Sequence, residues 1–362
     1  MGRKVEDIKV SFRKGTTGHD ILNVLKEADG SYPEENLKKV LSDKRPDTVR
    51  KMVRRLEKAG YVFRKKGYGG EIFVVLRTEG QRFLNVEMVV GSTPQKITRH
   101  GNIGVTNLMF KRSIPFGNQE EILKNTYYMT KKQIIEQFPK SGKVLCTSRF
   151  IGVYVHYGEY IPVFKFGLSM YWVDNAEQQV RDYLAVQIFA TPIRKAIFLI
   201  EDYDNEAMRL VERPEQRPNW GQSLRDSLEL SSCYRKVFLF VDDKTGVEQL
   251  RLFRSYAMIE ERFLDIVFEE DEKNDLKNDV VNGYIDDKKY IVLFSGDIIN
   301  VKRIRRMLEN GLIDHTFIIC YDFQEKFLRE AFHSWRDRVT FRSFSLEEVL
   351  EVIHPGEDDI DS

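Results

Sequence analysis

Residues 46 to 76, PDTVRKMVRRLEKAGYVFRKKGYGGEIFVVL, change their apolar period partway along, and few folds accommodate that change. Val49, Met52, Val53 and Leu56 recur at the spacing of one helix face, and Gly60 ends the run. Beyond it, Tyr61 to Arg64 and Glu71 to Leu76 read as strands on either side of a glycine-rich basic tip, KKGYGG. A helix must run directly into a hairpin. Upstream, Ile21, Leu22, Leu25 and Ala28 have helical spacing, with Thr16 or Thr17 as cap and Gly30 as terminator. Leu37, Val40 and Leu41 form the stripe of a second helix, for which Ser31 and Glu34 read as a capping box with Pro33 in the first turn. The turn Ser42 to Arg45 leads to Pro46 and Asp47, which open the third helix. Residues 16 to 84 are expected to form one domain, preceded by a loose arm over 1 to 15.

Turning the third helix by about 100° per residue places Lys51, Arg54 and Lys58 opposite the apolar stripe, flanked by Arg50 and Arg55. Only Asp47 and Glu57 interrupt the positive charge. The chain as a whole hides this asymmetry, because its net charge is +1. Residues 1 to 84 hold 20 Lys and Arg against 12 Asp and Glu, a balance of +8. The totals of 57 and 56 leave 37 against 44 for the rest, a balance of −7. A solvated helix face ordinarily mixes signs in Glu–Lys pairs, whereas a one-signed stripe on a basic module is expected where a polyanion docks.

The stretch TVRKMVRRLEKAGYVFRKKGYGGEIFVVLRTEGQRFL resembles the second half of MarR-like and PadR-like winged helix domains. In those families the recognition helix ends in an LExxGY-type turn and the hairpin runs into an LTxxG segment. Leu56, Glu57, Gly60, Tyr61, Leu76, Thr78 and Gly80 occupy those positions, and Arg77 departs by standing between Leu76 and Thr78. The resemblance covers residues 16 to 84 and implies double-stranded DNA as partner, with the third helix in the major groove. Arg45, Thr48, Arg50, Lys51, Arg54, Arg55 and Lys58 are the expected contacts on that helix. Arginine and lysine there can read guanine, while further contacts go to phosphates. Lys65, Lys66 and Tyr68 on the hairpin tip would reach the backbone or the minor groove; for Tyr68, a plain exposed turn aromatic is an equal alternative.

The rest of the chain reads differently. Residues 85 to 140 form a connecting segment, with GSTPQ as a linker and a helix around Thr130 to Phe138. Lys143 to Thr147, Phe150 to His156 and Tyr160 to Phe166 are strand-like, the last two joined around Gly158, and a helix follows from Asp174 to Phe189. Beyond 195, short apolar runs at 196–200, 237–241, 290–294, 316–320 and 339–344 alternate with helical stretches at 246–263, 299–308, 323–334 and 346–353. Such alternation argues for helices on both faces of a parallel sheet. The expected fold class is therefore α+β multidomain, with an N-terminal winged helix followed by an α/β body over 141 to 353, split near 195, that has a mixed or mostly parallel sheet. An acidic tail, HPGEDDIDS, closes the chain.

Several chemistries lack their residues. There is no GxxxxGK[ST], no GxSxG, and no HxH or HExxH among His19, His100, His156, His315, His333 and His354. Cys146, Cys233 and Cys320 are an odd number without CxxC, read as reduced thiols rather than a zinc site. No leader and no apolar run of about 20 residues is seen, so a cytoplasmic protein without membrane contact is expected. Acidic residues follow several strands: Glu201, Asp202 and Asp204, then Asp242 and Asp243, then Asp297. Asp242 and Lys244, with Asp226 or Glu229 upstream, loosely imitate the metal site of restriction-like nucleases, where carboxylates hold magnesium. The plainer reading is solvated strand ends, and neither catalytic residues nor cofactor nor metal is assigned.

The basic module, the segment SRFIGVYVHYGEYIPVF and a later helix carrying Trp172 and Glu177 together resemble the replication-relaxation type of protein carried by plasmids and conjugative elements. That resemblance implies a DNA-binding accessory of replication or transfer whose body is a decayed nuclease-like fold; no complete nuclease triad carries across. The expected function is sequence-specific DNA binding by a homodimer, with a non-catalytic acidic body for dimerisation or a protein partner. A nuclease targeted by its winged helix and a ligand-sensing transcription regulator are the alternatives.

Overall fold

At the head of the first helix the Thr16 hydroxyl accepts the His19 N–H at 3.5 Å. The computed structural model describes residues 15–41, 43–68, 70–88, 93–115, 119–145, 149–166, 175–201, 203, 207–211, 234–255, 259–274 and 280–353. It divides into two compact units, Met1–Arg112 and Ser113–Ser362.

The first unit holds α1 (Thr17–Glu27), β1 (Ser31–Pro33), α2 (Glu34–Val40), α3 (Pro46–Lys58), β2 (Val62–Lys66), β3 (Ile72–Leu76), α4 (Thr78–Leu84) and α5 (Pro94–Arg112). Ile21, Leu22 and Leu25 of α1 are fully buried with Val53 and Leu56 of α3. The capping box expected at Ser31 does not form. Ser31 to Pro33 instead pair with Val75 to Phe73 as the third strand of the hairpin sheet, and Pro33 precedes α2 without a side-chain cap. A sheet edge offers three residues of backbone pairing, which outweighs one local hydroxyl contact.

The unit runs past the boundary expected at 84. The segment read as connecting contains α5, which packs on β1 and the hairpin and buries Ile97, Val105 and Leu108. Two glycines permit the approach: a Cβ at Gly101 would stand 2.1 Å from Phe73, and one at Gly104 would stand 2.3 Å from the Ser31 carbonyl. At its far end Arg112 meets Glu27 at 2.8 Å and Asn107 donates to Asp29.

The second unit contains α6 (Gln119–Asn125), β4 (Thr126–Thr130), α7 (Lys131–Gln137), α8 (Gly142–Leu145), β5 (Phe150–His156), β6 (Glu159–Lys165), α9 (Asn175–Tyr183), β7 (Lys195–Ile200), α10 (Met208–Val211) and β8 (Lys236–Val241). These are followed by α11 (Lys244–Ser255), α12 (Ile259–Val267), β9 (Gly283–Ile285), β10 (Lys288–Val292), α13 (Ile298–Glu309), β11 (Thr316–Tyr321), α14 (Asp322–Ala331), β12 (Val339–Phe344) and α15 (Leu346–Ile353). Two mixed sheets result, in the orders β4-β5-β6-β7-β8 and β12-β11-β10-β9. The fold is α+β. In the first sheet β4, β5 and β6 form an antiparallel meander, and β6, β7 and β8 run parallel. In the second, β10, β11 and β12 are parallel and β9 is antiparallel. Strands joined by tight turns, such as Tyr157–Gly158 with φ of 48° and 83°, must be antiparallel, whereas helical crossovers return the chain in parallel.

Residues 143–145, expected in a strand, belong to the short helix α8, since a brief apolar run carries no period of its own. Of the helical stretch expected over 246–263, the described residues form α11 to Ser255 and α12 from Ile259. No described helix is long and apolar enough to cross a membrane. The arm to residue 14, the acidic tail, Cys146, Cys233, Trp172, Asp202, Asp204, Asp226, Glu229 and His354 lie outside the described residues.

Candidate nucleic-acid interface

Pro46 starts α3 with its φ already helical, and the helix is oriented by burial of Val49, Val53 and Leu56, each at most 1% exposed. Met52, expected in the same stripe, is half-buried at its margin. With that face fixed inward, Arg45, Thr48, Arg50, Lys51, Arg54, Arg55 and Lys58 are all exposed. Arg50 lies 4.0 Å from Asp47. Arg45, Lys51, Arg54, Arg55 and Lys58 have no ion-pair partner among the described residues.

The second acid of the helix is occupied elsewhere. Glu57 accepts the Arg64 backbone N–H at 3.0 Å, while the Arg64 guanidinium pairs with buried Glu34 at 2.7 Å. These two contacts fasten β2 to α3 and α2, so the hairpin leaves the helix at a set angle. Gly60, at φ 82°, closes α3, and Tyr61 N–H reaches the Leu56 carbonyl at 3.0 Å across it.

On the hairpin, Lys65 stands 5.0 Å over the Phe63 ring and Arg77 stands 5.6 Å from it. Lys66 is exposed, and Tyr68 at the tip is 76% exposed. The Tyr68 N–H donates to Thr98 Oγ1 of α5 at 2.8 Å, which holds the tip even though its ring projects outward. Arg77, noted in the sequence only as a departure from a motif, is an exposed cation at the hairpin base. The signal lies in the hairpin register: Phe63 pairs with Val75, so Arg77, two residues on, falls diagonally across from the ring.

The strand-end acids of the second unit separate into different roles. Asp242, 1% exposed, is paired with Lys165 at the end of β6, and Glu201 lies 3.8 Å from the same ammonium. Asp243 accepts the Thr245 N–H at 2.8 Å at the start of α11, and Asp297 accepts the Ile299 N–H at 3.1 Å at the start of α13. Lys244, paired with Asp242 in the nuclease expectation, is instead the first residue of α11. Among the described residues no group of three His, Cys, Asp or Glu is placed to hold a metal ion. Lys165 escaped sequence reading because a lysine ending an apolar strand looks like a solvated terminus.

Other buried polar groups tie the body together. Tyr203 donates to the Leu239 carbonyl and accepts from Gln249 at 3.3 Å and Gln324 at 3.2 Å, and burial raises its pKa to about 12. His156 stacks on Phe253 at 5.0 Å, and burial lowers its pKa to about 4. Burial lifts the Cys320 thiol to about 12, the opposite of an activated nucleophile. Glu177, the acid of the helix resembling mobile-element proteins, is buried against Arg149 at 3.2 Å.

Comparison of the chain with family models, with curated proteins and with solved structures returns no match.

Proposed function

We propose that the first unit is a winged helix domain that binds double-stranded DNA, with α3 as the reading helix in the major groove and the β2–β3 hairpin as the wing. The observation that carries this reading is the exposed row of Arg45, Lys51, Arg54, Arg55 and Lys58 without neutralising acids among the described residues. A cation row of one sign is unfavourable by itself, and its repulsion is relieved when phosphates replace counterions. Of the two acids on the helix, Glu57 is directed to the hairpin, where it accepts the Arg64 N–H. The acidic remainder, at −7, is repelled by DNA and serves dimerisation or a protein partner in a replication, transfer or transcription regulator of a mobile element.

Titrating the full chain with duplex DNA at several salt concentrations tests the reading. Four to six neutralised phosphates give a log–log slope of roughly −4 to −5, at about −0.9 each. A flat salt dependence, or no binding to duplex, overturns it.

One winged helix spans too few base pairs to select a site, so the DNA-bound form is a symmetric homodimer on a repeated half-site. Light scattering should give, on DNA, twice the chain mass of 42.6 kDa plus the mass of one duplex. A monomer both free and bound counts against the dimer.

A further inference from the structure

We infer that the first turns of α5 form a second phosphate-contacting element, in which Lys96 and Arg99 grip the backbone of the same duplex just beyond the hairpin tip. The inference rests on the winged helix reading and extends it to an element that the domain pattern in the sequence did not include.

Ile97 is 1% exposed against Phe73 and Val75, which fixes how α5 is rotated. With Ile97, Gly101 and Gly104 inward, Lys96 and Arg99 are left exposed, and neither has an ion-pair partner among the described residues. Thr98, between them, receives the Tyr68 N–H at 2.8 Å, and Gly67 fits against it so closely that a Cβ there would stand 2.5 Å from Thr98 Oγ1. The two cations therefore move with the hairpin tip. Arg99 is one residue from Thr98 and Lys96 two, so their Cα atoms lie within about 4–6 Å of the Thr98 Cα. Each DNA strand carries a charge every 3.4 Å or so along the axis, so a tip at the backbone brings neighbouring phosphates within reach of both side chains.

Helix stability does not account for these residues. The first turn of α5 holds no acid and includes Lys96, although the dipole of a helix start favours negative charge there. A bound phosphate reverses that penalty.

The test uses the full chain, a random-sequence duplex several turns long and fluorescence anisotropy across a salt series. Lys96→Ala with Arg99→Ala should make the log–log slope shallower by about 1.8, two phosphates at about 0.9 each, and lower affinity by tens of fold near ~0.1 M salt. Thermal unfolding should not change, and exchanging the two cations (Lys96→Arg with Arg99→Lys) should keep the parent slope. A parent-like slope in the double alanine variant, with Lys51→Ala and Arg54→Ala still weakening binding, overturns this inference alone. A parent chain that ignores duplex DNA, or that binds only anionic phosphatidylserine vesicles, overturns both it and the reading beneath it.

Discussion

Lys51→Ala combined with Arg54→Ala should weaken binding to a preferred duplex by roughly 2–6 kcal/mol, because each cation paired to a base edge contributes about 1–3 kcal/mol of discrimination. Both side chains are exposed and have no ion pair among the described residues, so their loss leaves nothing uncompensated in the folded domain. Melting should therefore stay at the parent value while affinity falls. Leu56→Ala is the converse control. Leu56 is fully buried on the inward face of α3, and its truncation should cost about 2–5 kcal/mol of stability before any effect on DNA appears. Measuring both variants on preferred and scrambled duplexes separates reading from positioning: Lys65→Ala and Lys66→Ala should weaken both duplexes alike. If Lys51→Ala with Arg54→Ala binds like the parent, α3 is not the reading helix.

Lys165→Met should destabilise the second unit by about 3–5 kcal/mol, as expected when one member of a buried ion pair is removed and the other charge stays behind. Asp242 is 1% exposed at the end of β8, out of reach of full hydration, and it pairs with Lys165. Glu201, 3.8 Å from the same ammonium and more exposed, turns to solvent in the variant. Asp242→Leu added to Lys165→Met should recover most of the loss, since an apolar pair of similar volume often equals a buried ion pair in stability. Chemical denaturation of the two single variants and the double variant closes the cycle. Additive losses in the double variant would show that the two groups do not depend on each other.

The period change at Gly60 was enough to place α3 and the hairpin, since burial of one helix face and of one sheet face is written directly into residue spacing. Most strands of the body, from β5 to β12, were visible for the same reason. The cation row was equally legible, because once Val49, Val53 and Leu56 face inward the positions of Lys51, Arg54 and Lys58 follow from helix geometry. The strand β1 was not. Ser31 to Pro33 have a local pattern that reads as a helix cap, and only the partner strand Phe73 to Val75, some forty residues away, makes them extended.

Tertiary structure likewise decided where the first unit ends, what happens to the acids, and how the sheets run. Gly101 and Gly104 have no signature in a single helix; their meaning comes from the Phe73 ring and the Ser31 carbonyl against them. In sequence Glu57 belongs with the charge of α3, but its carboxylate accepts the Arg64 N–H from the hairpin; Asp242 stands beside Asp243 and Lys244, but it pairs with Lys165 from another strand. Neighbours in sequence share a period but seldom a partner. Local spacing thus determined which residues face inward, and contacts between distant segments determined which charges remain open to a ligand.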